Sequence, residues 1–343
     1  MELIQQLSQE LKLRPAQVEA AVRLLDEGNT IPFIARYRKE MTDSLDDAAL
    51  RDLSDRLEYL RNLQKRREEV IRSITEQEKL TPELETAIQA AATLAEVEDL
   101  YRPYKPKRRT RGSIAREKGL EPLAAAIRVQ NTLREPLSMA AEYVNPEKGV
   151  ETAEDALSGA MDIIAEDISD DGEIRKALRL LIHRAAVVTA TGDSTENTTY
   201  KMYYDFKEPV GRIAPHRVLA INRGEKEGFL KTAIVLEEEK ALEAIRRKTV
   251  IANNACGRAV MEAAADSWKR LIAPSMENET FRELFENASE QAIRVFAENL
   301  HHLLMQPPLT GQVVLGWDPG YRNGCKLAVV DATGKVLDTK VIF

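Results

Sequence analysis

Residues 100–119 read LYRPYKPKRRTRGSIAREKG, eight Lys or Arg side chains against one acid, Glu117. The stretch carries +7 while the whole chain carries −7, which leaves −14 on the remainder. Charge segregated in this way asks for an anionic partner. Arg102, Lys105, Lys107, Arg108, Arg109 and Arg111 follow one another at spacings of one to three residues, interrupted by Pro103 and Pro106. On an extended backbone both faces then present cations, the arrangement that neutralises a phosphate backbone, and Tyr101 and Tyr104 are placed to stack on bases. Pro103, Pro106 and Gly112 disfavour helix, so the stretch is expected to be an exposed loop or extended arm. The opposing reading is a solvated loop whose cations meet acidic helices at Glu96, Glu98 and Asp99. A smaller cluster, Arg36, Arg38 and Lys39 in GNTIPFIARYRKE, reads by itself as a structural turn with an interface role and joins the arm as an auxiliary candidate contact.

A second chemistry is written in VVLGWDPGYRNGCKLAVVD. Asp318 ends a strand and is followed by Gly320 and Gly324, a pattern in which a carboxylate holds a divalent cation while the backbone approaches a phosphate; Arg322 could touch that phosphate. Spacing supports equally a strand–turn–strand in which Asp318 caps the turn. Asp331, before Ala-Thr-Gly, reads first as a turn residue.

Other chemistries are disfavoured. Two cysteines, Cys256 and Cys325, lie far apart with no CxxC partner, so neither a disulfide framework nor a zinc site is expected. His301 and His302 are adjacent and point about 100° apart on a helix, which is not a same-face metal pair. No Ser/His/Asp or Cys/His constellation stands out; no metal or cofactor is expected. The acidic pairs Glu166-Asp167 and Asp170-Asp171 read as solvated faces or helix N-terminal charges. No apolar run of membrane-spanning length and no signal peptide occurs, and a cytoplasmic location is expected.

The elements that must position these residues are mostly helical. Leu53, Leu57, Leu60, Leu63, Val70, Ile71 and Ile74 recur at helical spacing within 45–74, and Phe281, Leu284, Phe285, Ala288, Ala292, Val295, Phe296 and Leu303 form one stripe within 277–304. Shorter helices fit 2–12, 15–27, 82–100, 152–168 and 173–187. Residues 189–228, polar and punctuated by Gly and Pro, suggest a loop followed by short irregular elements. From Thr310 the period changes: VVLGWD, CKLAVVD and KVLDTKVIF are β-branched runs, the last two joined by an Ala-Thr-Gly turn. Three strands are too few for an independent domain, so the chain is expected to be a fragment ending inside one.

GNTIPFIARYRKE, DLYRPYKPKRRTRGSIAREKGLEPLA, PHRVLAINRGEKEG and AIRVFAENLHHLLMQPPLTGQVVLGWDPGYRNGCKLAVVD together closely resemble the bacterial Tex family of transcription accessory proteins, from near the N-terminus to Phe343. The resemblance implies a helical N-terminal region (1–188, with the basic arm at 100–119) containing a helix-turn-helix element, a mixed central region (189–309) ending in a long helix, and, from 310, the first strands of a YqgF-like domain of ribonuclease H fold. It also implies helix-hairpin-helix elements and an OB-fold RNA-binding domain in a longer chain. Asp318 matches the first-strand aspartate of RuvC-type nucleases, a position that the resemblance implies is vestigial together with Arg322. The expected fold class is thus mainly α, with a truncated α/β domain at the end. The leading functional expectation is a non-enzymatic scaffold contacting RNA or DNA through phosphates, and possible contact with the transcription machinery follows from the resemblance. A metal-dependent nuclease centred on Asp318 and a protein-interaction scaffold are the alternatives.

Overall fold

The computed structural model describes residues 2–105, 109–193, 198–307, 309–320 and 322–343. Along the chain the helices are α1 Glu2–Leu11, α2 Pro15–Asp26, α3 Ile31–Tyr37, α4 Asp47–Glu76, α5 Pro82–Ala90, α6 Leu94–Tyr101, α7 Arg111–Glu117, α8 Glu121–Val129, α9 Pro136–Ala140, α10 Ala153–Asp170 and α11 Gly172–Ala185. Next come β1 Val187–Thr191, β2 Asp205–Pro209, α12 Pro215–Lys226, β3 Lys231–Val235, α13 Glu238–Thr249 and α14 Ala255–Ser267. A π-helical turn, Trp268–Ile272, leads into α15 Ala273–Leu304, and β4 Val314–Asp318, β5 Cys325–Val330 and β6 Val336–Ile342 complete the order. The chain divides into two compact units, one of Met1–Val187, Pro209–Gly211 and Ile234–Asn278, the other of Val188–Glu208, Arg212–Ala233 and Glu279–Phe343.

The first unit is organised by two helices. Asp46 caps α4, its carboxylate accepting from Ala49 N at 2.8 Å, and the heptad-like apolar stripe beyond it serves two cores in succession. Leu50, Leu53, Leu57 and Leu60 close on Leu7, Val18, Leu24 and Ile34 from α1 to α3. Leu63, Val70 and Ile74 then close on Ile88, Val97 and Tyr101 from α5 and α6. The second organiser, α10, buries Ala156, Ala160, Ile163, Ile164 and Ile168, and its small residues let α7, α8, α9 and α14 pack around it.

The second unit contains both sheets. One is ordered β2-β1-β3, with Ala190, Tyr200, Tyr203, Ile221 and Leu230 as a small core. The other is an antiparallel meander ordered β4-β5-β6, in which Trp317 faces Leu327 and Leu327 faces Lys340. Its second turn is held by Asp331, whose Oδ1 accepts from Thr333 N at 2.8 Å and Lys335 N at 3.0 Å, with Gly334 at φ +86°.

The architecture is mainly helical with strands at the end, as the periodicity indicates, and four expectations are corrected. The helix expected over 82–100 is two helices: Ala91 leaves the α region and Thr93 caps a new helix, its hydroxyl accepting from Glu96 N at 3.2 Å. The basic stretch is not an extended arm throughout, because Arg102–Tyr104 forms a 3-10 turn and Arg111–Glu117 a helix. Residues 189–228 contain two strands and α12, whose Pro215 sits at the first helical position, where a missing N–H costs nothing. The stripe of 277–304 forms one helix, yet Val295, Phe296 and Leu303 are 57%, 68% and 61% exposed, whereas Ala288 is buried.

Candidate nucleic-acid interface

The basic stretch divides into anchored ends and a short middle. At its start Tyr101 is buried and shares a hydrogen bond with Ser73 Oγ at 2.9 Å, with the Arg66 guanidinium 5.4 Å from its ring. That ring is closed to a base, contrary to the stacking expectation for it. Tyr104 packs partly buried against the same core, and its carbonyl accepts from Gln77 Nε2 at 2.9 Å. Arg102 donates from Nη2 to Ser275 Oγ at 3.2 Å and lies 3.5 Å from Asp170. Lys105 Nζ is 4.0 Å from Glu98, one of the acids named in the opposing reading. Asp99 of that set is engaged elsewhere, accepting Arg179 in a fork at 2.6 and 2.7 Å with the fully buried Arg175 at 3.5 Å.

The far end is tied more firmly. Thr110 caps α7 in a reciprocal pair with Ser113, at 3.0 and 2.8 Å. Gly112, at the second position of α7, packs so closely on α10 that a Cβ there would stand 2.5 Å from Glu166 Oε2. Arg116 then reaches back to α10, donating to Glu166 Oε2 at 2.8 Å and Asp167 Oδ1 at 2.6 Å, while Arg128 takes the other Asp167 oxygen at 2.7 Å. Arg270 donates to Asp162 at 3.0 Å. Asp162, Glu166, Asp167 and Asp170 recur at helical spacing along α10 and form an acidic ladder filled by arginines from four directions. Burial pushes the carboxyls of Asp162 and Asp167 above their ordinary range, outweighing the arginines beside them. Arg116 is held above its usual value although burial opposes its charge, because the Glu166 hydrogen bond and the neighbouring carboxylates prevail. Lys118 donates to Gly149 O at 2.7 Å.

Between these ends the two described cations, Arg109 and Arg111, face water. Arg109 is 3.7 Å from Glu117, with both side chains about two-thirds or more exposed at 73% and 65%. Arg111, at the first position of α7, is exposed. Lys107 and Arg108 lie outside the described residues. Arg36, Arg38 and Lys39 stand apart, at the end of α3, which rests on α2 and α4 whereas α7 rests on α10. Arg38 lies 5.1 Å from the Phe33 ring and donates to Tyr37 O at 3.0 Å; Arg36 and Lys39 are exposed beside Tyr37, itself 61% exposed. Asp318 is the last residue of β4, paired with Lys326 of β5, and Arg322 is exposed in the connecting turn. No group of three or more His, Cys, Asp or Glu suited to a metal ion occurs among the described residues, and none of their helices is long and apolar enough to cross a membrane.

The residues that sequence reasoning missed are Arg116 and its acceptors. Glu166, read as part of a solvated acidic face, is buried; Asp171 does take the helix-capping role, accepting from Ile174 N at 2.9 Å. The spacing of Asp162, Glu166 and Asp170 at four-residue intervals beside a basic stretch was the available signal.

Comparison with known proteins places this architecture. Residues 1–75 match the Tex-like protein N-terminal domain, 131–296 the Tex central region-like segment, and 312–343 the Tex protein YqgF-like domain. The chain is 48% identical to the uncharacterised protein YdcI of Bacillus subtilis over 347 residues, covering 99% of this chain and 48% of that protein. It is 43% identical to Protein tex of Bordetella pertussis over 358 residues, covering 99% of this chain and 45% of that protein. It is 30% identical to the human S1 RNA-binding domain-containing protein 1 over 361 residues, covering 100% of this chain and 36% of that protein. The chain thus spans about half the length of the bacterial relatives.

Proposed function

The chain belongs to the Tex family, whose N-terminal, central and YqgF-like segments it carries in order, and from that premise we propose that it is the non-enzymatic, nucleic-acid-contacting scaffold of a transcription accessory protein. The observation that carries the reading is the division within residues 100–119. Arg102, Arg116 and Lys118 are engaged with the scaffold, which fixes both ends of the stretch, while Arg109 and Arg111 between them stay exposed. Arg109 and Arg111, set at the fixed start of α7, lose little further backbone entropy on meeting a phosphate backbone, so the affinity is strongly salt-dependent and nearly independent of sequence. Arg36 and Lys39 supply a second, separate contact. One relative is named for an S1 RNA-binding domain, which favours RNA as the polymer. Asp318 and Arg322 are the vestige of a nuclease position, and no bond is broken there.

The test is binding to fluorescent single-stranded RNA, single-stranded DNA and duplex DNA across a salt series, with the wild type beside a variant carrying Gln at Lys107, Arg108, Arg109 and Arg111. The wild type binds with a steep slope, and the variant loses about 0.7 in slope per phosphate contact on a single strand and about 0.9 on a duplex. An unchanged slope removes the loop from the interface. Magnesium-dependent cleavage that disappears in Asp318→Asn would overturn the non-enzymatic assignment.

A further inference from the structure

The turn between α13 and α14 is built with more hydrogen bonding than a surface connection requires. Gln130 follows α8 in the left-handed region at φ 53°, and its side chain, almost fully buried, enters the turn. Its Nε2 donates to Thr249 O at 2.8 Å, and its Oε1 accepts from Ile251 N at 2.9 Å and Ala252 N at 3.1 Å. Its backbone carbonyl accepts from Asn254 Nδ2 at 2.8 Å, and Asn254 Oδ1 in turn caps α14 by accepting from Gly257 N at 2.9 Å. Gly257 completes the fit, since a Cβ there would lie 2.0 Å from Ala252 O. This clamp holds one large apolar side chain out in water: Ile251 is 74% exposed.

Ile251 lies in a groove of about 520 Å³, whose other apolar walls are Val250, Ala252 and Met261 and whose charged lining is Arg246 and Arg258, with no carboxylate. Glu243 holds Arg246 from outside at 2.6 and 3.0 Å, and Arg258 is 4.0 Å from Glu135 with both side chains about two-thirds exposed. Arg247 and Lys248, on the same last turn of α13, are paired away from the groove, with Glu243 at 2.9 Å and Glu173 at 3.5 Å, which leaves Arg246 and Arg258 as its charged lining. A rigid apolar anchor ringed by arginine is the composition of an interface hot spot, where little side-chain or loop entropy remains to be lost. The occupant is constrained by what the groove lacks. It offers no aromatic ring for a base, and the turn's N–H groups at Ile251, Ala252 and Gly257 are consumed internally, which removes three backbone donors that a phosphate would need.

We propose that this groove docks an acidic peptide segment of a partner protein, which sets an apolar side chain against Ile251 and carboxylates on Arg246 and Arg258. The site is separate from residues 100–119 and stands whether or not that stretch binds nucleic acid.

A displayed library of random 12-residue peptides, selected on the chain and followed by fluorescence polarisation of the selected peptides, tests this. The expected peptides carry Asp or Glu flanking Leu, Ile or Phe, and their affinity falls about tenfold or more in Ile251→Asp and again in Arg258→Glu. Both positions are exposed, so thermal melting of each variant should match the wild type. Selected peptides without acidic residues, or affinities unchanged in Ile251→Asp, overturn the proposal. So does loss of single-stranded RNA binding in Ile251→Asp, which would make the groove a nucleic-acid site instead.

Discussion

Gly112→Ala tests whether the contact between α7 and α10 is what fixes the far end of the basic stretch. Helix propensity alone says that Ala in place of Gly stabilises by up to about 1 kcal/mol. The geometry says the reverse. The added Cβ would lie 2.5 Å from Glu166 Oε2, 2.9 Å from its Cδ and 3.3 Å from Asp162 O, against about 3.5 Å for a comfortable contact. The Glu166 carboxylate must therefore retreat by about 1 Å, and its 2.8 Å bond from Arg116 lengthens or breaks. Overpacking of this kind costs about 1–3 kcal/mol, and a charge-assisted hydrogen bond contributes about 1.5–3 kcal/mol. With part of each lost and the propensity gained, the net cost is about 2 kcal/mol. Urea unfolding followed by far-UV circular dichroism should show a lower midpoint with unchanged m. In a Glu166→Ala background the space is open, so the same substitution should become neutral or mildly stabilising, a coupling that only direct contact explains. A neutral Gly112→Ala, or an equal cost in both backgrounds, would falsify the steric account.

Three further perturbations follow from the polar contacts. Asp99→Ala leaves Arg175, fully buried, and Arg179 without their shared carboxylate; a loss of about 3–5 kcal/mol is expected in the same urea assay, and a loss under about 1 kcal/mol would show that the pair is replaceable. Glu10 and Asp26 are held below their ordinary range, first by hydrogen bonds from Arg56 and Arg61 respectively. A lowered folded pKa contributes stability above the unfolded value that disappears as pH falls through the folded one. The α1–α4 bundle should therefore lose stability below about pH 4.5, and Arg56→Gln together with Arg61→Gln should flatten that acid limb in thermal melts; an identical limb would mean that other carboxylates set it. Gln130→Ala removes the acceptor of Ile251 N and Ala252 N, so amide exchange at those two positions should accelerate about tenfold or more with little change elsewhere. Uniform acceleration across α13 and α14 would instead mean that Gln130 supports the whole unit.

Local order in this chain was written locally. The apolar spacing of α4 and of α10, the strands after Thr310 and the Asp331 turn all follow from side-chain period and turn chemistry, because those depend on neighbours within about four residues. The cation cluster of residues 100–119 and the family resemblance were legible for the same reason, being contiguous in the sequence. What sequence alone left open was which cations are free. Arg102 and Arg109 look alike in the chain, but Asp170 and Ser275 reach the first across large sequence separations, and only packing brings them there. Tyr101 looked as available as any surface aromatic until Ser73 and the second core of α4 closed over it. Gly112 looked like a helix breaker until α10 came against it. The clamp on Ile251 joins Gln130 to residues more than a hundred positions away. Propensity sets the elements, but which charges are satisfied, which rings are covered and which apolar side chain is left in water is decided by contacts between residues distant in the chain, and these exist only after the helices have packed.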